Sequence, residues 1–306
     1  MEQREKQEQE ERKSLRAPLA YENRKFLEGP NGRPLRILSE YAEPLARFRR
    51  ENVQDTVVFF GSARFTSKLS AAQSLDEAAH TLELLEKPGS VVPAPPQEQA
   101  QIKRAQVALD MARYYEDARR LAYLLTSWSQ TLRSRRHRFV VTTGGGPGIM
   151  EAANRGAHEA GGKTIGLNIN LPYEQMPNSY ITPELNFEFH YFFMRKLWFA
   201  YLAKALVVFP GGFGTLDELF EILTLAQTEK LAKRITVLIY GKEYWNRVLN
   251  LEALADAGAI SPEDVNLFHY VDTPEEGFEM LRESLTKFHL NVPAGQRAPE
   301  LARTRP

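Results

Sequence analysis

Apolar and polar positions along the chain change period repeatedly, and the changes set out its architecture. Short apolar runs bounded by Gly, Pro or Asn read as buried strands: Thr56–Phe60, Phe139–Thr143, Lys163–Ile169, Phe187–His190, Ala205–Phe209, Ile235–Tyr240 and Leu267–Val271. Between them apolar residues recur at helical spacing. Ala71–Leu85 and Ile149–Glu159 read as helices, Gln97–Ser134 as one or two, and Phe192–Ala203 as another. A helix opening at the Gly211 turn runs to about Gln227, and Tyr244–Ala257 and Pro274–Phe288 follow. Strands alternating with helices predict an α/β fold: a Rossmann-like, doubly wound parallel sheet with flanking helices and right-handed crossovers.

The pattern breaks at the ends and once inside. Residues 1–18 are mostly Glu, Gln, Lys and Arg, a charged segment expected to be disordered with some helicity. Residues 19–53 form a helical arm, with Leu35, Ile37, Leu38 and Tyr41 at helical spacing and Leu45 and Phe48 continuing beyond Pro44. It is expected to pack on the core or on a partner subunit. The main domain spans 54–289, interrupted by a Pro-rich insertion at 86–97 that cannot remain helical. The Pro-, Arg- and Ala-rich residues 290–306 read as a disordered tail.

Three strand-to-helix turns carry the chemistry. Pro210-Gly211-Gly212-Phe213-Gly214-Thr215 follows one strand, Gly144-Gly145-Gly146-Pro147-Gly148 another, and Gly61-Ser62-Ala63-Arg64 a third. A Gly-rich turn that opens a helix lets the backbone approach an anion, and the first amides of the helix point at it with the positive end of the dipole. The competing reading of any one turn is tight strand–helix packing. Three together suggest one ligand at the carboxyl ends of neighbouring parallel strands. No Lys follows the glycines, so none of them is a Walker A loop. Thr215 can add a hydroxyl donor. Glu218, three residues on, lies on the same helix face and is either a carboxylate aimed at the ligand or a helix-stabilising acid in the N-terminal turns. Arg195-Lys196 reads either as a phosphate-gripping pair or as a solvated basic pair. Arg64, Glu151 and Asp217 are further candidates for ligand contact, and for Glu151 a bracing role is favoured.

GGGPGIMEAANRGA (144–157) and PGGFGTLDE (210–218), with Arg195-Lys196 upstream, resemble the signatures of the Lonely Guy family, in particular its PGGxGTxxE motif. The similarity extends over roughly Thr56 to His289. It implies a Rossmann-like homodimer or higher homo-oligomer that hydrolyses the N-glycosidic bond of nucleoside 5′-monophosphates, such as AMP or cytokinin riboside monophosphates, to a free base and ribose 5-phosphate. It implies catalytic roles for Arg195 and Glu218. The nucleotide and its phosphate would be held by Gly61, Ser62, Gly144, Gly145, Lys196, Gly211, Gly212, Phe213, Gly214 and Thr215. Many relatives carry an older lysine decarboxylase label, for which no lysine context here marks a pyridoxal phosphate anchor. The flanks of Arg195-Lys196 depart from the family, with Phe192-Phe193-Met194 before and Leu197-Trp198-Phe199 after. Trp198 and Phe199 are expected in the core, while Phe193 and Met194 stay open to a pocket role. The alternative reading is a non-catalytic nucleotide-binding or molybdenum-cofactor-carrier-like module of the same fold. The absence of G-x-G-x-x-G after the first strand weakens a third, NAD-dependent reading.

Composition narrows the partners. A formal charge of zero argues against general electrostatic binding of nucleic acid or of an anionic membrane. The chain has no cysteine, which removes disulfides, thiolate metal sites and cysteine nucleophiles, and it fits a cytoplasmic setting. Its six His show no metal-ligand spacing, so neither a metal nor a cofactor is expected.

Overall fold

The computed structural model describes residues 17–85, 96–171, 176–230 and 233–291; most of the charged N-terminal segment, most of the Pro-rich insertion and the C-terminal tail lie outside them. Two compact units are present, Met1–Ala46 and Arg47–Pro306. In the first, Asn23 caps the short helix Arg24–Glu28 by accepting from Phe26 N at 3.2 Å. The Arg36 guanidinium donates to the carbonyls of Leu27 and Gly29, tying that helix to α1 (Arg33–Arg50).

The second unit is built on one seven-stranded sheet. Its strands are β1 (Thr56–Phe60), β2 (Val140–Thr143), β3 (Thr164–Ile169), β4 (Asn186–Phe189), β5 (Ala203–Val208), β6 (Thr236–Tyr240) and β7 (Phe268–Val271). All pair in parallel, in the order β4-β3-β2-β1-β5-β6-β7. Strands β1, β2 and β6 are buried along their whole length and β5 at every position but Lys204, which is why they read as apolar runs. The helices of this unit are α2 (Lys68–Leu85), α3 (Pro96–Gln130), α4 (Ile149–Glu159), α5 (Phe192–Leu202), α6 (Phe213–Gln227), α7 (Lys242–Val248), α8 (Glu252–Asp256) and α9 (Pro274–Leu285). Tyr114, Leu121 and Leu125 of α3, Ala153 and Ala157 of α4 and Leu281 of α9 share a core with Val57, Val141, Val207 and Leu238 of the sheet. Opposite, Phe48 packs on Phe187 and Trp198, with ring centroids 4.8 and 5.3 Å away.

The strand order reverses direction between β1 and β5. Chain growth runs outward from β1 to β4, and α5 then returns it to the other flank of β1. Loops leaving β1 and β5 diverge there and open a crevice at the carboxyl edge.

Some boundaries differ from the sequence reading. The segment 244–257 is two helices, because Leu249 turns extended (φ −151°) and the Asn250 side chain caps a new start by accepting from Ala253 N. The last helix is regular only to Leu285 and widens into a π-helical turn over Thr286–Leu290. Phe139 stands just outside β2 with φ of 54°, its amide donating to the buried Asp55 carboxylate at 2.7 Å.

Candidate active site

The crevice at the switch point is a cavity of about 640 Å³. Its walls bring together Gly61, Ser62 and Arg64 after β1, Gly144 after β2, Gly211 to Thr215 after β5, and Arg195 and Glu218 from α5 and α6. Each helix starts at the carboxyl edge because it follows a parallel strand, so Arg195 in the first turn of α5 and Glu218 in the second turn of α6 both face the crevice.

The cradle is α6's open start. Gly212 precedes the helix and no side chain caps it. Leu216 N donates the first intrahelical bond, to Gly212 O at 3.0 Å, which leaves the amides of Phe213, Gly214 and Thr215 directed outward. Backbone carbonyls that would repel an anion are turned away and tied. Tyr244 Oη donates to Gly211 O at 2.9 Å, Ser62 N to Pro210 O at 3.0 Å, and Ile149 N to Ser62 O at 3.0 Å. The Ser62 hydroxyl accepts from Arg64 N at 3.1 Å, so its proton remains to donate. A methyl on Gly211 would lie 2.1 Å from Thr215 Oγ1, so this close return of the chain requires glycine.

The second glycine turn is set by a buried amide network. Thr143 Oγ1 donates to Asn154 Oδ1 at 2.6 Å and accepts from Gly145 N at 3.0 Å. Asn178 Nδ2 lies within hydrogen-bond distance of the carbonyls of Gly145 (3.0 Å) and Gly146 (3.1 Å) and of Asn154 Oδ1 (3.0 Å). Gly145 itself, at φ of 77°, packs against the Asn168 side chain rather than lining the cavity.

At the centre, Arg195 Nη2 approaches Glu218 Oε1 to 3.7 Å. Both are largely buried. Arg195 lies against the rings of Phe192 and Phe199, and its Nε is buried with no hydrogen-bond partner. Burial lowers the guanidinium's pKa from its usual value. Burial likewise pushes the Glu218 carboxyl up to about 7, against the opposing pull of Arg195 and Lys196. A carboxyl held there can take or give a proton near neutral pH.

The structure places the other candidates outside the cavity wall. Lys196 does not line the cavity; it bridges Asp217 at 2.8 Å and Glu221 at 2.9 Å, pinning α5 to α6. Glu151 accepts from Tyr115 Oη at 2.7 Å and braces α4 against α3. Trp198 and Phe199 are buried, although Phe199 also reaches the cavity. Met194 is buried, and Phe193 is exposed without lining it. Sequence reasoning left out Phe65, Met150 and Tyr244 and assigned no individual role to Asn168, Ile169 and Leu171, at the start of a segment where a base-recognition loop would fall; all of these line the cavity, as does Phe192. Asn168 carried a signal, since it is a polar residue near the carboxyl end of an otherwise apolar strand.

The family model described as possible lysine decarboxylase matches residues 150–281, which take in α5, the cradle and Glu218. Two cytokinin riboside 5′-monophosphate phosphoribohydrolases of Arabidopsis thaliana match as well. One is 32% identical over 40% of this chain and 56% of its own length; the other is 30% identical over 47% and 66%. The chain is a relative of the Lonely Guy family. It thus spans between about half and two thirds of the length of these curated relatives. Among solved structures, the molybdenum cofactor carrier protein of Chlamydomonas reinhardtii matches with a TM-score of 0.40 and 22% identity, over 57% of this chain and 90% of its own. The decarboxylase description finds no counterpart in this Lonely Guy-like site. No lysine among the described residues lines the cavity. Among the described residues no cluster of His, Asp and Glu is placed to hold a metal ion, and no helix is long and apolar enough to cross a membrane.

Proposed function

We propose that the protein hydrolyses the N-glycosidic bond of a nucleoside 5′-monophosphate, of the AMP or cytokinin riboside type. The observation that carries the reading is the buried Arg195–Glu218 pair facing an uncapped helix start across one cavity. The names of the Arabidopsis relatives support the same reaction class.

In this reading the 5′-phosphate accepts from the amides of Phe213, Gly214 and Thr215 and from the Thr215 and Ser62 hydroxyls, with Arg64 at the rim. That anchor holds the ribose over Glu218. As the bond from C1′ to the base breaks, its electron pair leaves with the base and positive charge develops on the sugar. The Glu218 carboxylate stabilises that charge and accepts a proton from the water that attacks C1′. Arg195 hydrogen-bonds the departing base while it carries negative charge, and the base then takes a proton from solvent. Ribose 5-phosphate and free base result, with no electron transfer. Half-exposed Phe192, with Met150, Ile169 and Leu171, supplies the apolar wall on which a base ring can lie. A second subunit is part of the proposal: exposed Phe193 and Leu197 lie one turn apart on α5 and suit an apolar contact.

The test is incubation with AMP, GMP, CMP and isopentenyladenosine monophosphate, following free base by chromatography, with Glu218→Gln alongside. Release by the wild type that the variant loses supports the hydrolase and ranks the bases. No release, with AMP still raising the melting temperature, would leave a nucleotide-binding module.

A further inference from the structure

A second cavity, of about 710 Å³, opens at the opposite edge of the sheet. Thr236, the first residue of β6, lines it, whereas the active-site crevice lies beyond that strand's other end, about 13 Å away along the strand. Its wall carries three basic residues, Lys233, Arg234 and Lys287, and none of them forms an ion pair among the described residues. Lys233 is half-buried and donates to Tyr201 O at 2.5 Å. Burial and then the neighbouring Lys204 lower its pKa well below the usual lysine value, so an anion bound beside it would favour its charged form. Arg234 and Lys287 flank one ring, at 4.2 and 5.2 Å from the centroid of Phe288. Phe288 thereby gathers two positive charges at the same rim. Thr236 and Ser284 hydroxyls meet on the wall and keep one proton between them to offer.

More positive charge lies behind. Lys204 and Lys233 act on each other, and the nearby Asp55 is already engaged by Arg138 Nε at 2.8 Å and by Phe139 N. His289 reports the field. Burial and then the charges of Lys204, Arg138 and Lys233 push its pKa down to about 3, so it stays neutral, with Nε2 buried and unpartnered. Two acids, Glu229 and Glu283, also line the cavity. They oppose an anion of any charge, so a ligand is held only where it reaches Lys233, Arg234 and Lys287 together.

We propose that this cavity is a second anion site, separate from the cradle, for a small molecule bearing two or more closely spaced phosphate charges. The Lys233 amine forms the floor, where the anion would hold it protonated, and the Arg234 and Lys287 rim closes on the anion. The proposal does not depend on the hydrolase reading.

Pyrophosphate is the probe, titrated calorimetrically at low salt into the full-length protein, into Arg234→Gln/Lys287→Gln and into Thr215→Val. Two equivalents are expected for the wild type. The double variant should lose one by a factor of about ten or more in affinity, the loss of a charge-assisted contact. Thr215→Val should weaken only the other. Lys287→Arg keeps the charge and should retain both, and because Arg234 and Lys287 are exposed, the variants should melt like the wild type. The proposal is overturned if the double variant binds with unchanged stoichiometry and affinity, or if the wild type takes one equivalent that only Thr215→Val weakens. One equivalent removed by the double variant and untouched by Thr215→Val would uphold this site and remove support for the cradle.

Discussion

Arg195 Nη2 and Glu218 Oε1 stand 3.7 Å apart on two different helices, near enough to feel each other's charge and too far to share a hydrogen bond. If Glu218 acts as the base, kcat/KM should rise with pH along a limb centred near its pKa of about 7. Arg195 holds that value down, so Arg195→Gln should move the limb to higher pH as well as lower the maximum. A pH–rate profile of the two proteins checks this; a limb that stays put would mean that another group titrates.

The same carboxyl links stability to pH. Its folded pKa is raised from 4.5 to about 7, so the folded state holds its proton more tightly than the unfolded chain. The sign is therefore opposite to that of a salt-bridged carboxylate: the stabilisation is complete below pH 4.5 and is lost as pH rises through 7. A shift of this size corresponds to about 3 kcal/mol. Glu218→Gln lacks the term, so its stability relative to wild type should increase between pH 5 and 8. Urea unfolding at several pH values measures the difference, and a flat difference would contradict the assigned burial.

Two neighbouring glycines should behave in opposite ways. A methyl at Gly211 would meet Thr215 Oγ1, so Gly211→Ala should destabilise the fold by about 1–3 kcal/mol and spoil the turn. Gly214 has nothing within 4 Å of such a methyl and lies in the first turn of α6. Gly214→Ala should leave the melting temperature unchanged or raise it, by up to about 1 kcal/mol of helix propensity. It should still weaken AMP binding, because the methyl points into the space where the phosphate would rest. Thermal melts with and without AMP separate the two effects.

Asn178 holds the second glycine turn without itself lining the cavity. Asn178→Ala strands the carbonyls of Gly145 and Gly146 and should cost about 2 kcal/mol while raising KM. Asn178→Asp sets a carboxylate against three oxygens and should be worse than Ala. Equal melting temperatures for the two variants would show that the amide is not the donor.

Much of this could be read from the residues alone, for a physical reason. Strands such as Val57–Phe60 and Val207–Phe209 are buried on both faces, so apolar runs mark them, and Gly-rich turns then mark where each ends. Glu218 and Arg195 were legible because a parallel strand fixes where the next helix begins. Lys196 was less legible: its neighbour Arg195 turns inward and it turns outward, a rotation of one helical position that spacing in the chain does not resolve. The roles of Asn154 and Asn178 were hidden because their partners are backbone carbonyls and side chains distant in sequence, which leave no trace in local pattern. Tyr244 was missed because its hydroxyl reaches back from the first turn of α7 to Gly211, a contact created only when β5 and β6 pair.

The bond between Ser62 N and Pro210 O joins the loops of β1 and β5, which are neighbours in the sheet and lie far apart in the chain. No stretch of sequence short of the whole crossover can make the cradle, so on the proposed reading neither the β1–β4 half nor the β5–β7 half should hold a phosphate by itself. A phosphate bound there would recognise only the completed sheet. It should act as a clasp on the finished molecule, slowing its opening without hastening the closure of either half.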